Sequence, residues 1–95
     1  METQVIQNSA EYSQALETYQ PQTLDVTDYT CPMPLWKTRE MLRQISIGQV
    51  LHVIATDKAT KEDMPRWAAR TRNPLLAMYE EGGKFHYLIR KETNV

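Results

Sequence analysis

The hydrophobic and polar positions of the chain recur with two different periods, which predict its helices and strands. The positions Leu35, Thr38, Leu42 and Ile45 recur every three or four residues, with charged residues between them, as on one face of an amphipathic helix. Residues 23–26 alternate polar and apolar side chains and predict a short strand. Residues 50–55 are nearly all apolar and rich in β-branched side chains, which is typical of a central strand covered on at least one face.

A second helix is predicted in the sixties and ends near Thr71, but its start has two alternatives. Thr60 and Asp63 have the spacing of a capping box. Pro65 would then lie in the second turn, where its ring clashes with an earlier carbonyl. Capping by Asp63 places Pro65 in the first turn and avoids this conflict. The start of the helix stays open between these two alternatives, of which capping by Asp63 is the one without a steric conflict.

The chain ends in a predicted β-hairpin. Residues 75–81 and 84–90 flank Gly82 and Gly83, a two-residue turn that readily adopts positive φ. The predicted order is therefore β-α-β-α-β-β. It indicates an α+β fold: a two-layer α/β sandwich whose four-stranded mixed sheet carries two helices on one face.

The first part of the chain gives weaker signals. Residues 1–22 are polar, although Tyr12, Leu16 and Tyr19 fall on one face at helical spacing. We interpret 1–22 as an N-terminal appendage that is either a short helix docked on the domain or disordered. Residues 23–95 are predicted to form the domain itself.

Composition and charge narrow the function classes. The chain has 95 residues, a net charge of −1 and one cysteine, so it fits one small domain without an internal disulfide. A near-neutral charge gives no bulk attraction to nucleic acid or acidic lipid, and we expect no direct nucleic-acid partner. The N-terminus shows no export signal and no apolar run spans a bilayer. We therefore expect a cytoplasmic protein without a membrane partner, in a reducing compartment.

The lone thiol lies where the first helix of the domain begins. Pro32 biases Cys31 away from the α region, so that Cys31 sits just outside the helix. Pro32 or Pro34 then occupies the first turn, where a missing N–H has no intrahelical partner to lose. We expect the remaining first-turn amides, such as those of Met33 and Leu35, to face outward toward an anion.

This position favours a reactive thiolate. A negative charge at a helix N-terminus gains about 0.3–1 kcal/mol, and up to ~2 in favourable geometry, which lowers a thiol pKa by roughly 0.2–1.5 units from ~8.5. The alternative is an inert buried cysteine, the commonest fate of a free thiol. The C-P-x-P spacing argues against it, because chance produces that spacing in only about one of a few hundred chains of this length.

Three segments resemble one family. LDVTDYTCPMPLWKTREML, VLHVIATDKATKEDMP and FHYLIRK, within residues 24–91, resemble the TusA (SirA-like) family of small sulfur-carrier proteins. The resemblance implies the same β-α-β-α-β-β sandwich. It also implies that Cys31 accepts sulfane sulfur from a cysteine desulfurase or other sulfur donor and carries it as a persulfide, with no separate cofactor. The sulfur then passes to a thiol-containing acceptor protein, toward thiolation of tRNA, molybdenum-cofactor synthesis or dissimilatory sulfur metabolism.

The same resemblance implies roles for further residues. Asp57 matches a family acidic residue near the partner-facing surface. Asp28 and Tyr29 depart from the family's usual Gly-Leu, and Glu62 stands beside Lys61 where a relative of the tRNA-thiolating type has arginine. Besides catalytic Cys31, the candidates for partner binding or for tuning the thiol are Pro32, Met33, Pro34, Trp36, Lys37, Asp57 and Lys61.

Other side chains have two interpretations. The helices carry basic residues that form either a solvated face or an electropositive docking surface around Cys31. Trp36 is either a packing residue or a rim contact for a partner. His52 and His86 have no spaced partner, so we predict no metal site. The basic residues are Lys37, Arg39, Arg43, Lys61, Arg66, Arg70 and Arg72.

Three function classes follow from the residues and the resemblance. The leading one is a sulfur carrier with a reactive Cys31. The second is a nucleic-acid-binding module, which the acidic pI of about 6.1 argues against. The third is a regulatory or interaction domain in which Cys31 is structural.

Overall fold

The computed structural model describes residues 4–6, 9–30 and 32–95, which form one mixed sheet with helices on both faces. The helices are α1 (Ser9–Tyr19), α2 (Met33–Gln44) and α3 (Thr60–Thr71). The strands are β1 (Gln4–Ile6), β2 (Gln22–Val26), β3 (Val50–Ala55), β4 (Leu75–Glu81) and β5 (Lys84–Arg90).

The sheet has the strand order β1-β4-β5-β3-β2. β2 is parallel to β3, whereas β5 is antiparallel to both β3 and β4. Gly82 and Gly83 close the predicted hairpin with φ of 58° and 77°, a conformation that costs glycine no steric clash. The four strands expected from the sequence are therefore confirmed, and the carboxyl ends of β2, β3 and β4 meet at one edge of the sheet.

The expected number of strands is nevertheless wrong, because the sheet has five. β1 pairs in parallel with β4, placing Gln4 opposite Ala77 and Ile6 opposite Tyr79. A strand of three residues is too short to show an alternating pattern in the sequence. Its backbone becomes a strand through the hydrogen bonds that the edge of β4 offers.

The two predicted helices do share one face, and a third helix covers the other. α2 and α3 pack on the larger buried cluster, which includes Leu42, Met64 and Tyr87. α1 lies over the second cluster, where Tyr12 is buried. The α+β class is confirmed, but the expected two layers are wrong, because α1 adds a third layer on the second face of the sheet. The division of the chain at residue 22 stays a prediction. Within the described residues no helix is long and apolar enough to cross a membrane.

Of the two alternatives for the start of α3, the structure has the earlier one, since the helix begins at Thr60 with Pro65 inside it, although Ala59 rather than Thr60 takes the N-cap position. Capping by Asp63 is wrong. The Thr60 side chain is fully buried, and its Oγ1 lies 2.7 Å from both the Tyr87 hydroxyl and the Asp57 carbonyl oxygen. These contacts attach the first turn to the sheet and outweigh the local cost of a proline further along the helix.

Candidate functional site

Helix α2 begins at Met33, two residues after Cys31, which lies outside the described residues. Pro32 takes the N-cap position and Pro34 the first turn, as the sequence predicted for one of them. The Pro34 side chain is buried, and its carbonyl oxygen accepts a 2.7 Å hydrogen bond from the buried Thr38 Oγ1. The start of α2 is thus anchored to the protein immediately beside the position of the thiol.

The expectation that the first-turn amides face an anion is wrong. The Met33 N–H donates to the Thr30 carbonyl at 2.9 Å, and the Leu35 N–H donates to the Pro32 carbonyl at 3.1 Å. The chain before α2 forms tight turns whose carbonyls take up these otherwise unpaired amides. Pro32 and Pro34 have no N–H to offer. Since these amides of the described residues are already paired, helix α2 stabilises an anion at its N-terminus through its aligned peptide dipoles.

Exposed apolar side chains surround this end of the helix. Tyr29, Met33 and Trp36 are 39%, 41% and 65% exposed. Lys37 places its Nζ 4.5 Å from the centre of the Tyr29 ring, a cation–π contact. We call Tyr29, Met33, Trp36 and Lys37 the α2 rim. It holds half of the six exposed large hydrophobic side chains of the described chain, a concentration typical of a binding surface.

Asp57 lies beside the loop that follows β2. The Thr56 hydroxyl donates a hydrogen bond to the Thr27 carbonyl and joins the loops after β3 and β2. Asp57 Oδ1 accepts a 3.0 Å hydrogen bond from the Ala59 N–H, so the turn into α3 orients its carboxylate. Asp57 therefore shares the sheet edge with the start of α2. Residues 27–30 and 56–58 line a shallow depression of about 380 Å³ at this edge.

A carboxylate also stabilises the turn that leads from β2 toward Cys31. Asp25 Oδ1 accepts a 2.9 Å hydrogen bond from the Thr27 N–H. Hydrogen bonds from the Thr27 backbone and side chain lower the pKa of the Asp25 carboxyl, because they favour its charged form. The ionised carboxylate therefore holds the first turn of this loop at neutral pH.

Lys61 is directed away from the α2 rim. Its Nζ lies 3.1 Å from Glu80 Oε1 and 5.5 Å from the centre of the Phe85 ring. With Met78 and Tyr87 among its neighbours, it lines a separate cavity of about 300 Å³. The structure therefore does not bring Lys61 together with the other candidate residues, and its charge is already paired with a carboxylate.

A groove between α2 and α3 extends the α2 rim. Among the described side chains, no ion pair joins Arg39 or Arg70 to a carboxylate, whereas Arg43 lies 3.6 Å from Glu40. Two cationic groups are thus available to a partner along this groove. Its volume is about 480 Å³, and its lining is Pro32, Leu35, Trp36, Arg39, Glu40, Trp67 and Arg70.

Sequence reasoning missed one cluster, on the opposite face of the sheet. His52 Nε2 lies 3.0 Å from His86 Nδ1, and the Tyr12 ring packs against both imidazoles. The signal was present in the strand alternation, because β3 and β5 pair so that both histidines point to one face. Within the described part of the chain, no three histidine, aspartate or glutamate side chains form a group that could hold a metal ion.

Residues 22–91 match the model of a protein family described as Sulfurtransferase TusA. The chain belongs to the TusA family. It is 47% identical to the sulfur carrier protein TusA of Allochromatium vinosum over 70 residues, which are 74% of this chain and 92% of that protein. TusA of Pseudomonas entomophila is 39% identical over 72 residues, covering 76% and 90%. The putative sulfur carrier protein YrkI of Bacillus subtilis is 35% identical over 68 residues, covering 72% and 91%.

This finding confirms the resemblance drawn from the sequence. The TusA match begins at Gln22, so it contains β2 to β5, α2 and α3 together with the C-P-x-P segment. β1 and α1 lie outside it. The helix over the second face of the sheet is therefore a feature of this chain beyond the part that matches the TusA family.

Proposed function

We propose that the protein is a cytoplasmic sulfur carrier in which Cys31 is the acceptor and donor of the sulfur. The observation that carries the proposal is the membership of residues 22–91 in the TusA family, together with the position of Cys31 directly before α2. The relatives named as sulfur carriers align over nearly their whole length, which supports the same activity here.

The transfer is an exchange between thiols that needs no oxidant. The Cys31 thiolate attacks the outer sulfur of a donor persulfide, so that a new S–S bond forms at Cys31. The donor's S–S bond breaks, and the donor leaves as a thiolate. In the second half, an acceptor thiolate attacks the outer sulfur on Cys31 and releases Cys31 as a thiolate. The persulfide on Cys31 is the covalent intermediate, and no separate cofactor is needed.

The start of α2 serves this chemistry in two ways. Its dipole favours the thiolate and the persulfide anion over their protonated forms. Pro32 and the buried Pro34 hold the first turn of α2 in place, which gives the thiol a rigid attachment on the side of the helix. A rigid attachment suits a carrier that must enter the active sites of two different proteins.

The α2 rim and the adjoining groove are the proposed docking surface for both partners. Trp36 and Met33 supply exposed apolar area, while Lys37, Arg39 and Arg70 supply positive charge. This combination fits a partner that presents an apolar pocket with acidic neighbours. Asp57 borders this surface, because the loops after β2 and β3 are joined. Lys61 is less well supported as a contact residue, because it is already paired with Glu80.

The donor is proposed to be a cysteine desulfurase, and the acceptor a thiol-containing protein on a route toward tRNA thiolation. The test is to incubate the protein with a desulfurase and cysteine and to record its intact mass. We expect a gain of one sulfur atom, absent in Cys31→Ser and lost again when an acceptor thiol protein is added. A protein that gains no sulfur while its fold is intact would contradict the carrier function and favour a structural cysteine.

A further inference from the structure

On the second face of the sheet, the aromatic ring of Tyr12 is the buried centre of the contact between α1 and the strands. The Tyr12 ring of α1 stacks on Tyr79 with centroids 4.9 Å apart and an angle of 19°. The same ring meets His52 and His86 edge-on, at centroid distances of 5.5 and 5.3 Å. Tyr12 is 4% exposed and is the one described residue of α1 that is buried. The ring is therefore the one buried anchor of α1, beside a hydrogen bond between Ser9 and Tyr79 and a contact of the Arg90 guanidinium with the Tyr19 ring.

In the packed arrangement under Tyr12, at most one of the two imidazole rings can carry a positive charge. His52 Nε2 and His86 Nδ1 are 3.0 Å apart, so one ring nitrogen donates and the other accepts. Two imidazolium rings would direct N–H groups at each other across this distance, with like charges in a site where His52 is 6% exposed. The packed arrangement thus requires a neutral acceptor and excludes a doubly charged pair.

Charged groups around the pair only partly offset the cost of a buried imidazolium. Tyr79 and Glu81 face it from β4, Lys84 faces it from β5, and α1 contributes the Tyr12 ring. Burial and then the neighbouring histidine lower the pKa of His52 to about 4. Burial also lowers the pKa of His86, with Glu81 opposing this change and Lys84 adding to it. Both rings are neutral at pH 7 while α1 is docked.

The docked state of α1 is weakly held. The Tyr12 hydroxyl is buried and has no hydrogen-bond partner among the described residues. The free-energy cost of removing this hydroxyl from water is therefore not offset by a new hydrogen bond. Ala15 and Leu16 add half-buried contacts. α2 and α3, by contrast, pack together on the larger cluster of the other face. A helix with few buried contacts opens before the rest of a domain does.

We propose that α1 is an acid-sensitive cover, docked on the sheet while His52 and His86 are neutral and released when this pair takes up protons. Release exposes the apolar side chains of Val50, Leu76 and Leu88, which lie beneath the helix in the second cluster. The coupling is reciprocal, because a proton that favours release must bind more tightly to the released state.

The chain contains only two histidines, so both imidazoles can be followed by NMR without ambiguity. We expect them to titrate below the ordinary pKa of about 6.5. Hydrogen exchange should show α1 losing protection over the same pH range, while α2 and α3 keep theirs. From about pH 7.5 to about pH 5, the equilibrium should shift toward release by roughly 30-fold from His52 alone, given its pKa of about 4.

Two full-length variants test the reciprocal effect. Ser13→Pro breaks α1 at an exposed position without replacing any residue that contacts the histidine pair. Tyr12→Ala removes the ring that covers the pair. In both we expect the histidines to titrate near the ordinary value. Gln14→Ala, also exposed on α1, is the matched control and should keep the lowered pKa values. Unchanged histidine titration in Ser13→Pro, or joint loss of protection in α1, α2 and α3 on acidification, would overturn the proposal.

Discussion

Trp36 and Trp67 are tryptophans on two adjacent helices with opposite fates. Trp67 is 7% exposed and belongs to the main core, whereas Trp36 is 65% exposed at the edge of the proposed docking surface. An indole ring of this size is seldom left in water without a role, because its burial in a partner is strongly favourable. We therefore assign a stabilising role to Trp67 and a binding role to Trp36.

Trp36→Ala should therefore weaken partner binding with little effect on stability. We expect the KM for sulfur transfer from the donor to rise about 5- to 30-fold, the loss typical of an aromatic contact at an interface. The free energy of unfolding should change by no more than about 0.5 kcal/mol. Steady-state kinetics with a desulfurase and urea unfolding measure the two effects.

Ile47→Ala is the matched control, since Ile47 is an apolar side chain of similar exposure, 61%, outside the α2 rim. Its kinetics should equal those of the parent protein. If Trp36→Ala also leaves the KM unchanged, the proposed docking surface is wrong.

At the scale of elements, tertiary contacts set both ends of α3. The buried Thr60 hydroxyl fixes its start. At its end Arg72 adopts the left-handed conformation with φ of 62°, and its N–H returns to the Ala69 carbonyl. Asn73 is fully buried and its Oδ1 accepts hydrogen bonds from the Glu92 and Thr93 amides. The sequence predicted the end near Thr71 but not the left-handed residue that makes it.

The left-handed conformation predicts a stabilising substitution. Arg72→Gly should raise the free energy of unfolding by up to about 1 kcal/mol, because glycine adopts this φ without the steric cost that arginine bears. Urea unfolding measures the change. The matched control is Arg70→Gly, two residues earlier in the last helical turn, which should lower stability by roughly 1 kcal/mol. A loss of stability in Arg72→Gly would contradict the αL assignment.

At the scale of the whole molecule, the two faces of the sheet differ in chemistry. One face holds an apolar core under α2 and α3, and the other holds a histidine pair under α1. The α2 rim lies at the sheet edge where α2 begins, away from the face that α1 covers. The buried imidazoles therefore affect stability from outside the proposed docking surface.

This arrangement predicts how stability depends on pH. Between about 6.5, the pKa of a histidine in the unfolded chain, and the folded value of about 4 for His52, the unfolded chain binds more protons. While α1 stays docked, the free energy of unfolding should therefore be at its full value above about pH 6.5 and fall by roughly 2–3 kcal/mol as the pH approaches 4. The fall should level off once α1 is released, because the released state binds the same protons as the unfolded chain. Asp25, whose pKa is lowered, loses its contribution only below this window.

Urea unfolding at a series of pH values measures this decline. The double variant His52→Gln/His86→Gln, which has no imidazole to protonate, should show a much flatter profile over the same range. Parallel profiles for the parent protein and the double variant would show that the histidine pair does not control stability.

Much of the fold could be predicted from local patterns. The strands from Leu75 to Glu81 and from Lys84 to Arg90 have the predicted bounds. The signals that predict them, the alternation of apolar and polar side chains and the glycine turn, depend only on residues close in the sequence. The start of α3 and the pairing of the Met33 amide could not be predicted in this way. Both depend on carbonyl and hydroxyl partners whose distances are set by the folded chain.

The sequence by itself determined the α+β class, the four long strands, the two main helices, and a lone thiol before a proline-framed helix that indicated the family. Tertiary structure alone decided that Gln4–Ile6 becomes a fifth strand, that α1 covers the second face, and that His52 meets His86. The reason is physical. Periodicity records which side of an element is apolar, whereas the pairing of two distant residues depends on strand register and on how the layers stack.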